Sequence, residues 1–218
     1  MKIGILFDLD GTLLNSLGDI TAAINETLRH YGCPEHTMEA VRGFIGNGAE
    51  QLVRLALPGK VTDPSVEEAL ATYQECYAKH LRGDTRPYDG VTEALAELEK
   101  DFPLAIVSNK PDRAVKPLCA EYFPGIFALG EQDGCPRKPA PDMLVTAMQA
   151  IGVEKCIYVG DSDVDVVTAN NAGVPCLSVL WGYRDRACME ELDGKYFCSD
   201  PRQMPGALQR IAEECYGK

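Results

Sequence analysis

Short apolar runs alternate with amphipathic segments over most of this chain. Residues 2–8 (KIGILFD) have the continuous apolar character of a buried strand, and similar runs return from residue 103 onward. Strands that alternate with helices are typical of βαβ units, which build a parallel sheet. The pattern predicts further strands at 103–108, 126–129, 156–160 and 175–180, a weaker one at 195–198, and helices at 91–100, 111–121, 141–151, 163–172 and 202–215.

The segment after the first strand has helical periodicity, and no strand is predicted between residues 9 and 100. Helices are predicted at 16–31, 48–57 and 65–82, and Ser16 followed by Asp19 forms a capping-box pattern at the first of them. Because a single strand is not stable alone, the first strand must join the later sheet. We therefore predict an α/β fold: a Rossmann-like parallel sheet core flanked by helices (1–14 and 84–218), with an inserted all-helical cap domain (15–83).

The net charge of the chain limits the kinds of molecule that it can bind. Lys and Arg number 21 and Asp and Glu 33, so the formal net charge is −12. This charge excludes the broad basic surface with which proteins bind nucleic acid or an anionic membrane. No apolar run approaches the ~18–20 residues of a membrane span, and the N-terminus does not have the pattern of a signal peptide. We predict a cytoplasmic protein, monomeric or homodimeric, whose nine cysteines are reduced thiols.

Polar side chains follow several of the predicted strands at the point where each strand ends. The first strand runs into Asp8-Leu9-Asp10-Gly11-Thr12, the next into Ser108-Asn109-Lys110, and the one at 156–160 into Asp161 and then Asp165; Lys138 follows the strand at 126–129. In open parallel sheets, ligands bind beyond the carboxyl ends of the strands. We expect these four segments to meet at one edge of the sheet and to form a site.

Four carboxylates, those of Asp8, Asp10, Asp161 and Asp165, would share that edge. Carboxylates so close together repel one another, and a hard divalent cation relieves the repulsion. Mg²⁺ prefers oxygen ligands and commonly binds substrate phosphate at the same time. The sequence therefore predicts a Mg²⁺ site formed by these four residues.

The remaining polar groups at the edge suit a phosphate. Lys138 and the hydroxyls of Thr12 and Ser108 are donors that phosphate oxygens accept. An aspartate at a strand end, such as Asp8, can attack phosphorus to form an aspartyl-phosphate. Asp10, two residues later, is placed to protonate the leaving oxygen and then to activate water. The chain has no GxxxxGK[ST] sequence, so a nucleotide-binding loop of that type is excluded.

Four segments in order along the chain, FDLDGTL, VSNK, RKPAPD and VGDSDVDVVTANNAG, resemble the motifs of phosphatases in the haloacid dehalogenase superfamily. The resemblance implies that Asp8 is the nucleophile and Asp10 the general acid and base. It implies that Ser108, its neighbour Asn109 and Lys138 bind the phosphate. It also implies that Asp161, Asp8 and the backbone carbonyl of Asp10 bind Mg²⁺, with Asp165 supporting the site, and that the helical insert is a cap of the C1 type.

The segment VRGFIGNGAEQLVRLAL at 41–57 is similar to the cap segment of phosphoglycolate phosphatases. The resemblance implies that the small phosphorylated metabolite this protein acts on is 2-phosphoglycolate. Arg42 could grip a carboxylate with both guanidinium nitrogens, and Asn47 is a second candidate for substrate contact. Both are equally compatible with a surface position.

Other functions share parts of this pattern. A sugar-phosphate or nucleotide phosphatase, a pyrophosphatase and a phosphosugar mutase of the same superfamily would also carry Asp8 and Asp10. A non-enzymatic alternative is a phosphate-sensing, receiver-like module, which combines an acidic pocket with a phosphorylated aspartate and a lysine. Receivers have neither a second aspartate two residues on nor a long helical insert, so the hydrolase is favoured.

Overall fold

The computed structural model describes residues 2–60 and 63–217 and contains eight strands within those ranges. Six of them form one parallel sheet in the order β5-β4-β1-β6-β7-β8, which confirms the predicted α/β fold class. The first strand lies in the middle of this sheet. The strands are β1 (Ile3–Phe7), β2 (Leu14–Asn15), β3 (Arg86–Pro87), β4 (Leu104–Pro111), β5 (Phe127–Glu131), β6 (Lys155–Gly160), β7 (Cys176–Val179) and β8 (Tyr196–Cys198).

Ten α-helices lie in the same described ranges, and five of them correspond to the helices predicted at 91–100, 111–121, 141–151, 163–172 and 202–215. A short 3₁₀ turn at Pro201–Gln203 leads into the last helix. The helices are α1 (Leu17–His30), α2 (Met38–Phe44), α3 (Gly48–Ala56), α4 (Val66–His80), α5 (Val91–Leu98), α6 (Asp112–Tyr122), α7 (Asp142–Ala150), α8 (Asp163–Ala172), α9 (Arg186–Glu190) and α10 (Met204–Tyr216).

The two faces of the sheet are covered by different helices, and the alternation along β1 shows how. Ile3, Ile5 and Phe7 project to the face that α5, α6 and α10 cover, whereas Leu6 projects to the face covered by α7, α8 and α9. All five residues of β1 are buried. A parallel strand covered on both faces is apolar at every position, and this is why its sequence is a continuous apolar run.

Helices α1 to α4 pack around an apolar cluster of their own, which includes Ile24, Leu52 and Tyr73. Ala114 of α6 joins this cluster and so links it to the sheet layer. The pattern did not predict α2, because Val41 is the one buried position in its seven residues. The five-residue α9 has one buried position and was missed for the same reason. The domain boundaries, 1–14 with 84–218 and 15–83, stay a prediction.

A two-stranded antiparallel sheet joins the two segments that enter and leave the helical unit. Leu14 pairs with Pro87 and Asn15 with Arg86, so β2 and β3 lie side by side. The prediction that no strand lies between residues 9 and 100 is therefore wrong. Strands of two residues show no periodicity, and only the meeting of distant segments defines them.

The capping box predicted at Ser16 and Asp19 is also wrong. Ser16 makes no side-chain cap bond, and its hydroxyl donates to Asp10 Oδ1 at 2.5 Å instead. The Asp19 carboxylate accepts bonds from the backbone N–H groups of Asp84 and Thr85, at 2.8 and 2.9 Å, and from the Thr85 hydroxyl at 2.7 Å. Both side chains therefore bond to groups outside the predicted capping box. Asp19 holds residues 84 and 85 against the start of α1.

All nine cysteines are free thiols, as predicted. Five of them, including Cys156 and Cys176, are buried in the apolar layers. Among the described residues, no helix combines the length and the apolar character needed to cross a membrane.

We expect Asp19→Ala to destabilise the protein, because the substitution leaves three donors at residues 84 and 85 without their acceptor. Two of these donors, both on Thr85, are buried, and each buried donor that loses its partner costs about 1–3 kcal/mol, so the free energy of unfolding should fall by at least about 2 kcal/mol. At this chain length a loss of that size lowers Tm by roughly 4–8 °C. Urea or thermal unfolding measures it.

The matched control is Asp84→Ala, which removes an exposed carboxylate from the same segment and keeps the backbone N–H that Asp19 accepts. Its free energy of unfolding should stay within about 0.5 kcal/mol of the wild-type value. Equal losses in the two variants would show that the Asp19 contacts do not hold this segment.

Candidate active site

The carboxyl end of the sheet carries a cavity of about 180 Å³ between the sheet layer and helices α1, α3 and α4. Polar groups from four chain segments line its floor: Asp8 after β1, Ser108 in β4, Lys138 after β5 and Asp161 after β6. These segments are far apart in sequence and meet because β4, β1 and β6 are parallel neighbours.

Lys138 is the centre of the hydrogen bonding on this floor. Its buried Nζ lies 2.8 Å from each of three oxygens: Asp8 Oδ1, Asp165 Oδ1 and the Tyr158 hydroxyl. Burial by itself lowers the pKa of Lys138, but the charges of Asp165 and Asp8 outweigh it, and the pKa is raised. Lys138 is therefore a permanent cation whose three protons are all engaged.

Asp165 is a fully buried carboxylate with both oxygens bonded to protein donors. Oδ1 accepts from Lys138 and from the Tyr158 hydroxyl, the latter at 2.9 Å. Oδ2 accepts from the backbone N–H groups of Asp161 and Ser162 and from the Ser162 hydroxyl. Asp165 thus orients Lys138 and the turn that starts α8.

Asp161 is fully buried and is held from two sides. Its Oδ1 accepts from the Thr12 hydroxyl at 2.9 Å and its Oδ2 from the backbone N–H of Tyr183 at 2.7 Å. Gly11 and Gly182 lie so close to this carboxylate that a Cβ on either would stand 2.3 Å from Asp161 Oδ2. Burial, followed by the charges of Asp165 and Asp8, raises the pKa of Asp161 well above its usual range.

Asp8, Asp161 and Asp165 form a buried group that could hold a metal ion, since each offers an oxygen within 4.8 Å of the others. Burial raises the pKa of Asp8 to about 7, with the Lys138 charge opposing the rise and the Asp165 charge adding to it. Carboxylates that ionise with this difficulty favour a bound cation, and the all-oxygen donor set suits a hard divalent ion.

The Asp10 side chain lies outside this trio of carboxylates. Its Oδ1 accepts from the Ser16 hydroxyl, and its Oδ2 lies 2.6 Å from Lys110 Nζ. Lys110 is buried and lies 4.7 Å from the centroid of the Tyr77 ring in α4. Asp10, which the sequence proposed as a metal ligand, therefore lines the cavity with its carboxylate bonded to Ser16 and Lys110.

Three residues predicted to bind phosphate differ in what they contact. Ser108 lines the cavity, and its hydroxyl accepts from the backbone N–H of Lys110, which leaves its proton free to donate. Thr12 is not part of the cavity wall, and its fully buried hydroxyl donates to Asp161. Asn109 uses its amide on the backbone N–H and carbonyl of Lys138 and on the carbonyl of Gly46. The amide of Asn109 therefore holds the Lys138 loop.

Neither Arg42 nor Asn47 lines this cavity, and the substrate contacts predicted for them stay a prediction. Arg42 donates from Nε and Nη2 to the carbonyls of Tyr183 and Gly182, at 2.9 and 2.7 Å. In the opposite direction, Arg184 donates to the carbonyls of residues 42, 43 and 45 at the end of α2. Asn47 precedes α3 without a side-chain cap bond and is not part of the cavity wall.

Sequence reasoning missed four residues that complete the site: Ser16, Lys110, Tyr158 and Tyr183. Lys110 had a signal, because it ends the VSNK segment at the edge of the sheet. Tyr158 had none, since it lies inside the apolar run of β6 and only the tertiary structure brings its hydroxyl to Lys138. The same holds for Ser16 and Tyr183, whose hydroxyls lie 3.2 Å apart.

The sequence is similar to a hydrolase family and to several phosphatases. A sequence profile described as haloacid dehalogenase-like hydrolase matches residues 5–179. A phosphoglycolate phosphatase of Pseudomonas putida is 40% identical over 190 residues, which cover 82% of this chain and 70% of that protein. A phosphoglycolate phosphatase of Pseudomonas syringae pv. tomato is 37% identical over 221 residues, which cover 96% of this chain and 81% of that protein.

Solved structures give the same picture of the fold. A crystal structure from Lactobacillus delbrueckii subsp. bulgaricus, provisionally assigned as a phosphoglycolate phosphatase, has a TM-score of 0.86 and 31% identity, covering 94% of this chain and 97% of that one. A haloacid dehalogenase-like hydrolase from Streptococcus pneumoniae has a TM-score of 0.84 at 24% identity, over 94% of this chain and 97% of that one. The second similarity concerns the fold alone.

We expect Asp161→Asn to raise the Tm of the metal-free protein above neutral pH, because it removes a buried negative charge from beside Asp8 and Asp165. The expected gain is about 2–4 °C for each kcal/mol of repulsion relieved. The amide can still accept from Tyr183 and bond Thr12. Thermal melts with EDTA and with Mg²⁺ measure the effect: the wild type should gain stability on Mg²⁺ addition, and the variant should not.

Asp163→Asn is the control, since Asp163 is a half-exposed acid two residues away that pairs with Arg184. It should keep the Mg²⁺-induced rise in Tm. That rise should grow with pH through about 7, because the folded-state pKa of Asp8 is raised to that value and a proton competes with the cation below it. A variant at Asp161 that keeps the full Mg²⁺ effect would exclude Asp161 as a ligand.

Proposed function

This chain belongs to the haloacid dehalogenase-like hydrolase family, and we propose that it hydrolyses a small phosphate monoester, with 2-phosphoglycolate the first candidate. The observation that carries the proposal is the buried Lys138 ammonium between Asp8 and Asp165, beside Asp161, on the floor of the cavity. This arrangement combines a nucleophile, a cation site and a fixed positive charge where a phosphoryl group would react.

The proposed cofactor is Mg²⁺, and the donors present fit it. Asp8 and Asp161, with the backbone carbonyl of Asp10, would hold the ion. Asp165 would support them, because its Oδ1 accepts from the Lys138 ammonium and the Tyr158 hydroxyl and its Oδ2 accepts three further hydrogen bonds. When bound, the ion neutralises the clustered carboxylates and withdraws charge from phosphoryl oxygens. Magnesium dependence is supported by the chemistry of this donor set, which is hard and all-oxygen.

In the first half-reaction, an oxygen of the Asp8 carboxylate attacks phosphorus. The new Asp8 O–P bond forms as the bond from phosphorus to the ester oxygen breaks. Asp10 enters this step as the carboxylic acid and gives its proton to that oxygen, which leaves as an alcohol. Lys138 Nζ, already at 2.8 Å from Asp8, stabilises the charge that spreads over the phosphoryl oxygens. The Ser108 hydroxyl is a further donor to one of those oxygens.

In the second half-reaction, water attacks the phosphorus of the aspartyl-phosphate. Asp10, now a carboxylate, takes a proton from the water, and the bond between phosphorus and the Asp8 oxygen breaks to release phosphate. Ser16 and Lys110 hold the two Asp10 oxygens, so the same group is in position for both steps.

The small size of the substrate is supported by the cavity. Apolar side chains of the helical unit, among them Ile20, Leu52 and Tyr73, close it opposite the carboxylates. We propose that this unit, residues 15–83, acts as a cap that sets which leaving group fits. A volume of about 180 Å³ suits a short leaving group better than a nucleoside.

We also propose where the protein is located and how it assembles. Nine free thiols are typical of a reducing compartment, which supports a cytoplasmic protein. A net charge of −12 supports a small metabolite as the partner, with neither nucleic acid nor a membrane surface. The exposed large apolar side chains, Met38, Leu55 and Val145, are single, so we propose a monomer or a homodimer.

We expect Asp8→Asn to abolish phosphate release from 2-phosphoglycolate with Mg²⁺ present, because an amide is not a competent nucleophile. Circular dichroism and the melting curve should show a folded protein. Asp133→Asn, which changes an exposed loop acid, should retain wild-type turnover. The wild type should lose activity on addition of EDTA and regain it with Mg²⁺; turnover in Asp8→Asn comparable to wild type would overturn the mechanism.

Asp10→Asn should lower kcat on 2-phosphoglycolate by about 10²–10⁴-fold, because the leaving oxygen and the attacking water lose their proton donor and acceptor. p-Nitrophenyl phosphate has a leaving group that needs little protonation. With it the variant should release about one equivalent of nitrophenolate in a burst and then turn over slowly. Rapid-mixing absorbance measures the burst, and an unchanged steady-state rate on 2-phosphoglycolate would exclude Asp10 as the acid and base.

A further inference from the structure

The cavity divides into a charged half and an apolar half. The charged half contains Asp8, Asp161 and Lys138 on the sheet, and the apolar half is built by helices α1, α3, α4 and α6. If the phosphoryl group reacts at Asp8, its leaving group must extend past Asp10 toward the apolar half. The apolar wall includes Ile20, Ile45, Leu52, Tyr73, Tyr77 and Ala114.

Lys110 lies at the boundary between these halves. Its side chain is only 6% exposed, its Nζ is 2.6 Å from Asp10 Oδ2, and the ammonium lies over the Tyr77 ring at 4.7 Å from the centroid. An ammonium has three protons to donate, and among the described residues Lys110 Nζ makes one hydrogen bond, to Asp10. Beyond that bond and the contact with the Tyr77 ring, the buried cation still has a proton to donate to a ligand.

Lys138 cannot serve the leaving group in the same way. Its three protons are engaged by Asp8, Asp165 and Tyr158. Arg113 also lines the cavity, but it is an exposed residue at the start of α6. Lys110 is therefore the buried cation of the cavity wall that is available to a second anionic group.

A second observation concerns Tyr77. Its hydroxyl is buried and has no hydrogen-bond partner within the described parts of the chain, and its side chain lines the cavity. Buried hydroxyls are nearly always paired, so an unpaired one whose side chain lines a cavity is a candidate donor to a ligand. The Tyr77 side chain, whose ring contacts Lys110, thus adds a second polar group to this part of the wall.

We propose that Lys110 binds a carboxylate on the leaving group and so selects phosphate esters of short α-hydroxy acids. In such an ester one carbon carries both the ester oxygen and the carboxylate. A cation bonded to Asp10 therefore lies beside the carboxylate when Asp10 faces the ester oxygen. This proposal rests on the proposed phosphatase function and names the feature of the substrate that the site recognises.

The test compares 2-phosphoglycolate with ethyl phosphate, which has the same ester linkage on a neutral two-carbon leaving group. The readout is the ratio of kcat/KM for the two esters in the wild type and in Lys110→Met, a variant of similar length without the charge. Loss of a charge-assisted hydrogen bond should lower this ratio by about 10- to 100-fold. The loss should fall mainly on KM, because the carboxylate is bound alike before and during reaction.

Two further variants control the comparison. Lys110→Arg keeps the charge and should keep most of the preference for 2-phosphoglycolate. Arg113→Met removes the exposed cation of the same wall and should leave the ratio unchanged. Melting curves confirm that each variant is folded before its kinetics are compared.

Equal losses on both esters in Lys110→Met would overturn the proposal, because Lys110 would then act only through Asp10. A ratio that falls in Arg113→Met and not in Lys110→Met would also overturn it and assign the carboxylate to Arg113. A wild type that hydrolyses ethyl phosphate as well as 2-phosphoglycolate would refute the selectivity and leave the phosphatase function intact. A wild type inactive with Mg²⁺ on both esters and on p-nitrophenyl phosphate would refute the proposed function itself.

Discussion

One buried ammonium group organises this site. Lys138 Nζ is surrounded by Asp8, Asp165 and Tyr158, and it holds the ends of β1 and β6 at fixed positions relative to the loop after β5. A charge this deeply buried is tolerated only when opposite charges and hydrogen bonds compensate it, and loss of one partner of a buried pair costs about 3–5 kcal/mol. The carboxylates in turn depend on Lys138, since without it Asp8 and Asp165 would face each other uncompensated. The same contacts of Lys138 therefore determine both the geometry of the site and the stability of this edge of the sheet.

The same dependence extends from the sheet to the helical unit. Asn109 bonds both backbone groups of Lys138 and the carbonyl of Gly46, so the loop that carries the cation is tied to the loop before α3. Arg42 and Arg184 donate to backbone carbonyls in opposite directions across the same boundary. Because the N–H of Tyr183 also bonds Asp161, the position of α2 is linked to a carboxylate of the proposed metal site. A cap that opened would have to break these contacts, so substrate entry and the geometry of the site are coupled.

The sequence predicted the position of some site residues correctly, but it did not predict the bonding partners of others. Asp8, Lys138, Asp161 and Asp165 could be placed from the sequence because each lies after a strand or in the first turn of a helix, and parallel strands bring their carboxyl ends to one edge. Thr12, Asn109 and Arg42 were assigned a ligand because of their hydrogen-bonding chemistry, yet that chemistry is used on Asp161, on the Lys138 loop and on the carbonyls of residues 182 and 183. A polar side chain near a site has the same donors whether it binds a substrate or a backbone, and sequence does not distinguish the two uses.

The sequence by itself determined the parallel α/β class, the helical insert and the carboxylates and lysine at the edge of the sheet. It could do so because hydrophobic periodicity and strand ends are local properties, and a strand covered on both faces must be apolar throughout. Only the tertiary structure decided the β2–β3 pair, the partners of Ser16 and Asp19, the hydroxyl of Tyr158 beside Lys138 and the placing of Lys110 between Asp10 and Tyr77. Each of these joins residues distant in the chain, and the competition among donors and acceptors that selects such partners is settled only when the segments pack together.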